Sequence, residues 1–261
     1  MTMYATNTPV TAVSDAGLRK SYDKEAEHYD QRRYLSREGR MFSDLEVTVL
    51  RQWLPLDAGR KVLDVPAGTG RLTYALAQTG AHAIGADISG NMLRVAAGKH
   101  GEEGDGTVQF TQGSGTHLPF ADHTFDAVVS FKFFHLIPND RKPHFVREMA
   151  RVLKPGAPLV IEFNSPFYGG VLAAFRYYFQ KKHPGGMRMK CLFPDQVSTL
   201  FEGLEVTRVQ GVKLPLAAAL SILIGRRAAD ALNLWFGRIP GLKYLSYALI
   251  VEARKPIARH A

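Results

Sequence analysis

The segment VLDVPAGTGRLT, Val62–Thr73, runs from a short apolar stretch into a turn where Gly68 and Gly70 flank Thr69. Glycine tolerates positive φ and lets backbone approach a ligand closely. A helix opening just after such a turn offers unpaired N–H groups to a polar ligand. The spacing departs from G-x-G-x-x-G, and no Gly-Lys-Ser/Thr follows, so the turn is neither a dinucleotide fingerprint nor a Walker A loop. Asp64 stands near the end of the apolar stretch. Asp87, in GADIS, ends the next one, 17 residues beyond Gly70. An acid at that tip is placed to accept hydrogen bonds from both ribose hydroxyls of a nucleoside.

Two more segments follow in order: GSGTHLPFADHTFDAVVS, Gly113–Ser130, and REMARVLKPG, Arg147–Gly156. Between them lies FKFFHLIPN, Phe131–Asn139, with one imidazole, His135. Its ordinary pKa of about 6.5 suits a general base, and it suits equally a packed histidine that does not titrate usefully. No carboxylate pair, metal-ligand set or Ser-His-Asp array appears.

These groups need a scaffold. Short β-branched runs at Lys61–Val65, His82–Asp87, Thr107–Gln112, Phe125–Ser130 and Pro158–Phe163 alternate with helical stretches at Leu72–Gln78, Gly90–Gly98 and Arg141–Leu153. That alternation predicts a parallel sheet covered on both faces. Two helices are expected before it, Ser14–Gln31 with Ser14 as cap and Ser36–Leu54. Two strands are expected after it, Leu204–Val212 and Tyr244–Ala253. Two apolar helical segments, Tyr168–Gln180 and Leu216–Phe236, exceed what the sheet needs and should pack over something, as a lid or substrate wall.

Taken in order, the four segments resemble the class I S-adenosylmethionine-dependent methyltransferases, and within them the type 11 group that includes quinone-biosynthesis enzymes. The likeness covers about residues 20–165. It implies a Rossmann-like α/β fold: a seven-stranded, mostly parallel sheet of order 3-2-1-4-5-7-6 with N-terminal helices and an added C-terminal helical lid. Residues 1–260 are expected to be one domain, with N-terminal helices over 14–55, a cofactor core over 60–165, and sheet completion with acceptor-binding additions over 166–260. The resemblance assigns Asp64, Ala67, Gly68, Thr69 and Gly70 to the methionine part of S-adenosylmethionine. It assigns Asp87 to the ribose, and Ile88 and Met92 to the adenine. Tyr29, in a leading helix that closes over the cofactor, joins this set with Ser114, Gly115 and Ser130.

Two departures stand out. Pro66 occupies a position that is usually glycine, and Ser114-Gly115 occurs where Asp-Ala is common, so the adenine amino group loses its charged acceptor. On the acceptor side the resemblance points to Phe133 and Phe134, with His135 as catalytic candidate; Asn164, Tyr168 and Tyr178 are further acceptor candidates. Phe175, Tyr177, Tyr178 and Phe179 fit a substrate pocket or the core of an added helix equally well. Trp53 and Trp235 are expected in the core. The function implied is methyl transfer by in-line displacement to a small apolar or amphipathic acceptor, with anionic character open.

Composition narrows the partners. Apolar residues make up 46% and charged residues 22% of 261, which excludes a disordered chain, a collagen-like fibre and a disulfide miniprotein. A single cysteine, Cys191, excludes an internal disulfide and a cysteine zinc cluster. The expected setting is cytoplasmic, with no metal and no secretory leader. Residues 1–165 carry 19 basic and 19 acidic side chains, so the net charge of +9 lies wholly in residues 166–261. That field suits an anionic metabolite, an anionic membrane surface contacted peripherally through Leu214–Arg227, or nucleic acid. The absence of an appended RNA-binding module and of an Asn/Asp-Pro-Pro-Tyr motif disfavours RNA as substrate. A non-catalytic cofactor-binding module is the remaining alternative.

Overall fold

The computed structural model describes residues 14–34, 36–54, 56–99, 107–165, 197, 199–214 and 217–257. Seven strands form one sheet: β1 (Lys61–Asp64), β2 (His82–Asp87), β3 (Thr107–Gln112), β4 (Ala127–Ser130), β5 (Pro158–Asn164), β6 (Glu205–Val212) and β7 (Ala248–Arg254). Their order is β3-β2-β1-β4-β5-β7-β6, as the resemblance implies. The first five are parallel, while β7 runs antiparallel to both β5 and β6.

The central strands are apolar on both faces, as a sheet covered on each side requires. Successive side chains go to opposite cores. Leu63, Val128, Leu159 and Val251 pack with Phe145, Met149 and Val152 of helix α6 (Lys142–Val152). Val62, Val129, Val160 and Ile250 pack with Val49, Leu50 and Trp53 of α3 (Arg37–Trp53) and Leu72 and Leu76 of α4 (Arg71–Ala77). Helix α5 (Gly90–Ala97) follows β2, and its cap Ser89 accepts from Met92 N–H at 3.1 Å.

The N-terminal stretch differs from the single helix expected. Ser14 does cap α1 (Asp15–Glu25), accepting from Gly17 N–H at 3.1 Å. A 3-10 turn, Ala26–His28, then buries Ala26 and leads into α2 (Tyr29–Tyr34). The late segment Leu216–Phe236 also divides. Gly225, at φ 79°, separates α7 (Ala217–Leu223) from α8 (Arg226–Phe236). Trp53 is core at 9% exposure, but Trp235 is 61% exposed, contrary to expectation. Its place on the outer face of α8 leaves it no partner layer in the sheet. The expected helix Tyr168–Gln180 lies outside the described residues.

Candidate active site

At the carboxyl ends of β1, β2 and β4 the chain opens a cleft of about 690 Å³. It sits where strand order reverses, between β1 and β4, the usual ligand position in an open α/β sheet. Its floor is the glycine turn after β1. Gly68, at φ 54°, would point a Cβ into space with nothing within 4 Å. Its N–H donates to Asp87 Oδ2 at 2.8 Å, and Asp87 Oδ1 accepts from Ser89 N–H at 2.8 Å. Asp87 thus ties the tip of β2 to the turn of β1 while lining the cleft beside Ile88 and Met92. Burial pushes its carboxyl up, opposed by the N–H groups of Ser89, Gly68 and Ile88. Gly70 has a different reason to be glycine: at φ 78°, a Cβ there would meet Phe110 Cζ at 2.9 Å and Ala96 Cβ at 3.0 Å. It serves packing and does not line the cleft.

Asp64 is 2% exposed and lines the cleft from beneath. Burial pushes its carboxyl up to about 7, against the opposing hydrogen bond from the Thr73 hydroxyl and the charge of Arg71. That hydrogen bond measures 2.7 Å. A carboxyl so poorly hydrated gains most from a cation placed against it.

The N-terminal helices form the roof and are latched to the motif loops. Asp23 Oδ1 accepts from the Ser89 hydroxyl at 2.5 Å, and Asp30 Oδ1 from the Thr69 hydroxyl at 2.5 Å. Lys99 completes the second latch, pairing with Asp30 and donating to Thr69 O at 2.6 Å. Tyr22, Tyr29 and Tyr34 line the cleft from above. They meet edge to face, with centroids 6.3 and 6.2 Å apart. Burial pushes the Tyr22 phenol up to about 12 and Tyr29 well above its ordinary value, so both remain protonated donors.

A second hollow of about 320 Å³ shares Leu18, Pro66, Asp87, Ile88 and Phe133 with the first. Ser114 and Gly115 bound it together with Asp15 of α1. The Ser114 hydroxyl donates to Asp15 Oδ2 at 2.6 Å, and Arg141 Nη2 donates to Asp15 Oδ1 at 2.9 Å. Burial raises the Asp15 carboxyl, but these two partners outweigh it and hold it below the ordinary range.

The remaining candidates are dispersed. Phe133 lines both hollows. Phe134 is fully buried, edge-on to Phe163 at 5.2 Å, and belongs to the core rather than the cleft wall. His135 is half-buried and is not among the lining residues. Ser130 is fully buried, and its hydroxyl has no hydrogen-bond partner among the described residues. Asn164 ends β5, half-buried and opposite Ala248 in the ladder. Tyr168 and Tyr178 lie outside the described residues.

The structure also brings together a group of charges not singled out above. Glu46 of α3 is fully buried and Glu162 of β5 is 4% exposed. Lys213 Nζ reaches both, at 2.6 and 2.5 Å. Arg71 Nη2 lies 3.0 Å from Glu46 Oε2. Lys132 pairs with Glu46 and lies 3.2 Å from Glu162 Oε1. Arg71 and Lys132 line the cleft. One signal was available in the sequence: Glu162 is a single acid inside the apolar run PLVIEF.

Residues 62–156 match the sequence model of a family described as a methyltransferase domain. Over these residues the chain is similar to a methyltransferase domain. A demethylmenaquinone methyltransferase of Corynebacterium urealyticum is 39% identical over 156 residues, covering 59% of this chain and 64% of that protein. Another, from Clavibacter sepedonicus, is 40% identical over 134 residues, covering 51% and 53%. The match therefore spans between about half and two thirds of these relatives' length. Among solved structures, the [4+2]-cyclase SpnF aligns at TM-score 0.65 and 19% identity over 96% of this chain and 100% of that one. The magnesium protoporphyrin IX methyltransferase of a Synechocystis, with bound S-adenosylhomocysteine, aligns at 0.61 and 15% identity, over 93% and 100%. At such identities the likeness is one of fold.

The cofactor of this domain class is S-adenosylmethionine, and the residues present suit it. The space above Gly68 is a cradle that any Cβ would invade. Asp64 is a buried carboxyl suited to an ammonium. Asp87 keeps acceptor capacity at the β2 tip, since each carboxylate oxygen has two lone pairs. Among the described residues no helix is long and apolar enough to cross a membrane, and no His/Cys/Asp/Glu group could hold a metal ion.

Proposed function

We propose that the chain is an S-adenosylmethionine-dependent methyltransferase acting on a small apolar or amphipathic acceptor of the aromatic quinol type. The observation that carries the reading is Asp87 holding the Gly68 N–H at 2.8 Å beside open space. The quinol class follows the relatives named as demethylmenaquinone methyltransferases.

When bound, S-adenosylmethionine supplies a methyl group on a sulfonium, already reactive toward nucleophiles. The chain's own work is to bind, orient and exclude water. Asp64 takes the ammonium, Asp87 the ribose hydroxyls, and Ile88 with Met92 the adenine. Phe131, Phe133, Leu136 and Leu18 give the acceptor an apolar wall. Holding its nucleophilic atom about 3 Å from the methyl carbon, in line with sulfur, replaces a bimolecular encounter by an oriented one. Tyr22 and Tyr29 keep their protons and serve as donors and roof.

Contact with an anionic membrane belongs to the same reading. Ile222, Leu223 and Ile224, at the end of α7, are 69, 79 and 49% exposed, and Arg226 and Arg227 follow them. Apolar tips beside cations suit a headgroup layer.

The test is calorimetry with S-adenosylhomocysteine, then mass spectrometry of a short-chain demethylmenaquinol incubated with S-adenosylmethionine. Saturable binding and gain of one methyl group are expected. Folded protein that ignores millimolar S-adenosylhomocysteine would refute the whole reading; binding without methyl gain refutes the quinol class. Asp87→Ala should weaken S-adenosylhomocysteine at least about 100-fold, the loss of two charge-assisted hydrogen bonds.

A further inference from the structure

Glu46 and Glu162 are buried carboxylates, and their charge is already matched without Lys132. Lys213, itself 1% exposed, touches both at 2.6 and 2.5 Å. Arg71 closes on Glu46 at 3.0 Å and lies over the Tyr34 ring at 4.8 Å. Two cations therefore stand against these two anions, while Arg71 also faces Asp64, the carboxyl that the methyl-transfer reading gives to the cofactor's ammonium. Lys132 is a third cation, and it is the one placed on the cleft wall, with its side chain 29% exposed.

The backbone at Lys132 is also built for this position. Its φ is 57°, in the left-handed region that side chains other than glycine seldom occupy. Its N–H donates to Glu162 Oε2 at 3.0 Å, so the carboxylate that receives the ammonium also holds the turn. Burial alone would lower the ammonium's pKa, but Glu162 and Glu46 outweigh it and hold it well above an ordinary lysine. Lys132 is thus a permanent cation and cannot act as a base. Its neighbours in sequence, Phe131 and Phe133, line the same cleft.

A surplus positive charge on the wall of a cleft that two aromatic side chains also line attracts one anion. We infer that Lys132 is the anion-binding residue of the acceptor site, and that it takes the acceptor as an oxyanion on an apolar ring: an ionised phenol, an enolate or an aromatic carboxylate. The inference rests on reading the cleft as a methyl-transfer site, since that reading commits Asp64 to the cofactor's ammonium and leaves Lys132 for the acceptor. It makes acceptor charge, rather than a histidine, the chemical requirement of this wall. An acceptor that binds ionised has already lost its proton, so His135, which does not line the cleft, is not needed as a base.

Calorimetry on the full chain saturated with S-adenosylhomocysteine tests this with two probes of one shape, 2-naphthoate and 2-naphthamide. The anion should bind about tenfold tighter or better, as expected for a hydrogen bond between charged groups. Lys132→Gln should bring the two within about twofold while leaving S-adenosylhomocysteine affinity unchanged, and Lys132→Arg should keep the preference. Equal affinities in the unmodified protein, no binding of 2-naphthoate, or a preference that survives Lys132→Gln would overturn the assignment. If Lys132→Gln does not fold, the unmodified protein and Lys132→Arg decide alone, and loss of preference in either overturns it. Failure to bind S-adenosylhomocysteine at all sinks the reading of the cleft. Binding without charge preference sinks only Lys132.

Discussion

The hydroxyl of Ser114 donates to the carboxylate of Asp15 across 99 positions of sequence, at 2.6 Å. Where the resemblance puts an aspartate, position 114 is serine, and a carboxylate reaches the same hollow from the first helix. Asp15 thus joins the first helix to the hollow that Ser114 bounds.

Charge exchange tests that relationship. Ser114→Asp alone sets two carboxylates against each other and should weaken S-adenosylhomocysteine about tenfold. Adding Asp15→Ser should restore most of the loss. A double-mutant cycle in binding calorimetry isolates the pair term. Strictly additive losses would show that the two side chains act independently.

Gly68 and Gly70 should fail in different ways when changed to alanine. Gly68→Ala meets no atom within 4 Å, so only the positive φ of 54° opposes it, at about 1–2 kcal/mol. The protein should fold, and S-adenosylhomocysteine binding should be lost. Gly70→Ala drives a methyl into Phe110 and Ala96, which adds overpacking of about 1–3 kcal/mol to the φ penalty. Thermal unfolding should fall sharply for Gly70→Ala and mildly for Gly68→Ala.

Burial of Asp64 costs the fold stability at neutral pH. Its pKa rises from 3.8 to about 7 on burial, so the native state binds more protons than the unfolded state between those values. Stability therefore falls as pH climbs through that window and is flat above it. Asp64→Asn removes the dependence, and stabilisation should grow from near zero at pH 4 to at most ~4 kcal/mol at pH 8. Urea titrations at several pH values give the curve, and calorimetry should show S-adenosylhomocysteine affinity collapsing in the same variant.

Trp235 reports on membrane contact. It is 61% exposed while Trp53 is 9% exposed, so a blue shift on adding vesicles can be assigned to it. Phosphatidylglycerol vesicles should shift the emission and phosphatidylcholine vesicles should not, and Ile222→Glu with Leu223→Glu should abolish the effect. Emission indifferent to both vesicle types would remove the membrane from the proposal.

Much of this site could be read from the chain because local patterns carry it. The strand tips with Asp64 and Asp87 lie where the short β-branched runs end, and the expected strand order is the observed one. The breaks were less legible. Ala26–His28 sits inside a run with continuous helical spacing, and nothing local distinguishes it; Asp23 and Asp30 settle it by reaching Ser89 and Thr69. Gly225 was visible, but a single glycine inside an apolar segment does not declare its φ. The Glu46–Lys132–Glu162–Lys213 group was the hardest. Its members come from α3, the loop after β4, β5 and the end of β6, and each charge taken alone resembles a solvated surface residue. Only tertiary packing makes them neighbours.

The position of β7 has a consequence for the order in which the molecule can be assembled. Among the described residues β6 pairs only with β7, and β7 is inserted between β5 and β6. During synthesis from the N-terminus, β1 to β5 and the cleft they carry can dock as parallel strands once residue 164 has emerged. The outer edge of β5 then stands bare, and β6 has nothing to join until residues 248–254 arrive. An uncovered apolar edge is the form in which a nascent chain is most exposed to wrong pairing. A ribosome-bound chain halted before residue 248 is thus the species that most needs a chaperone.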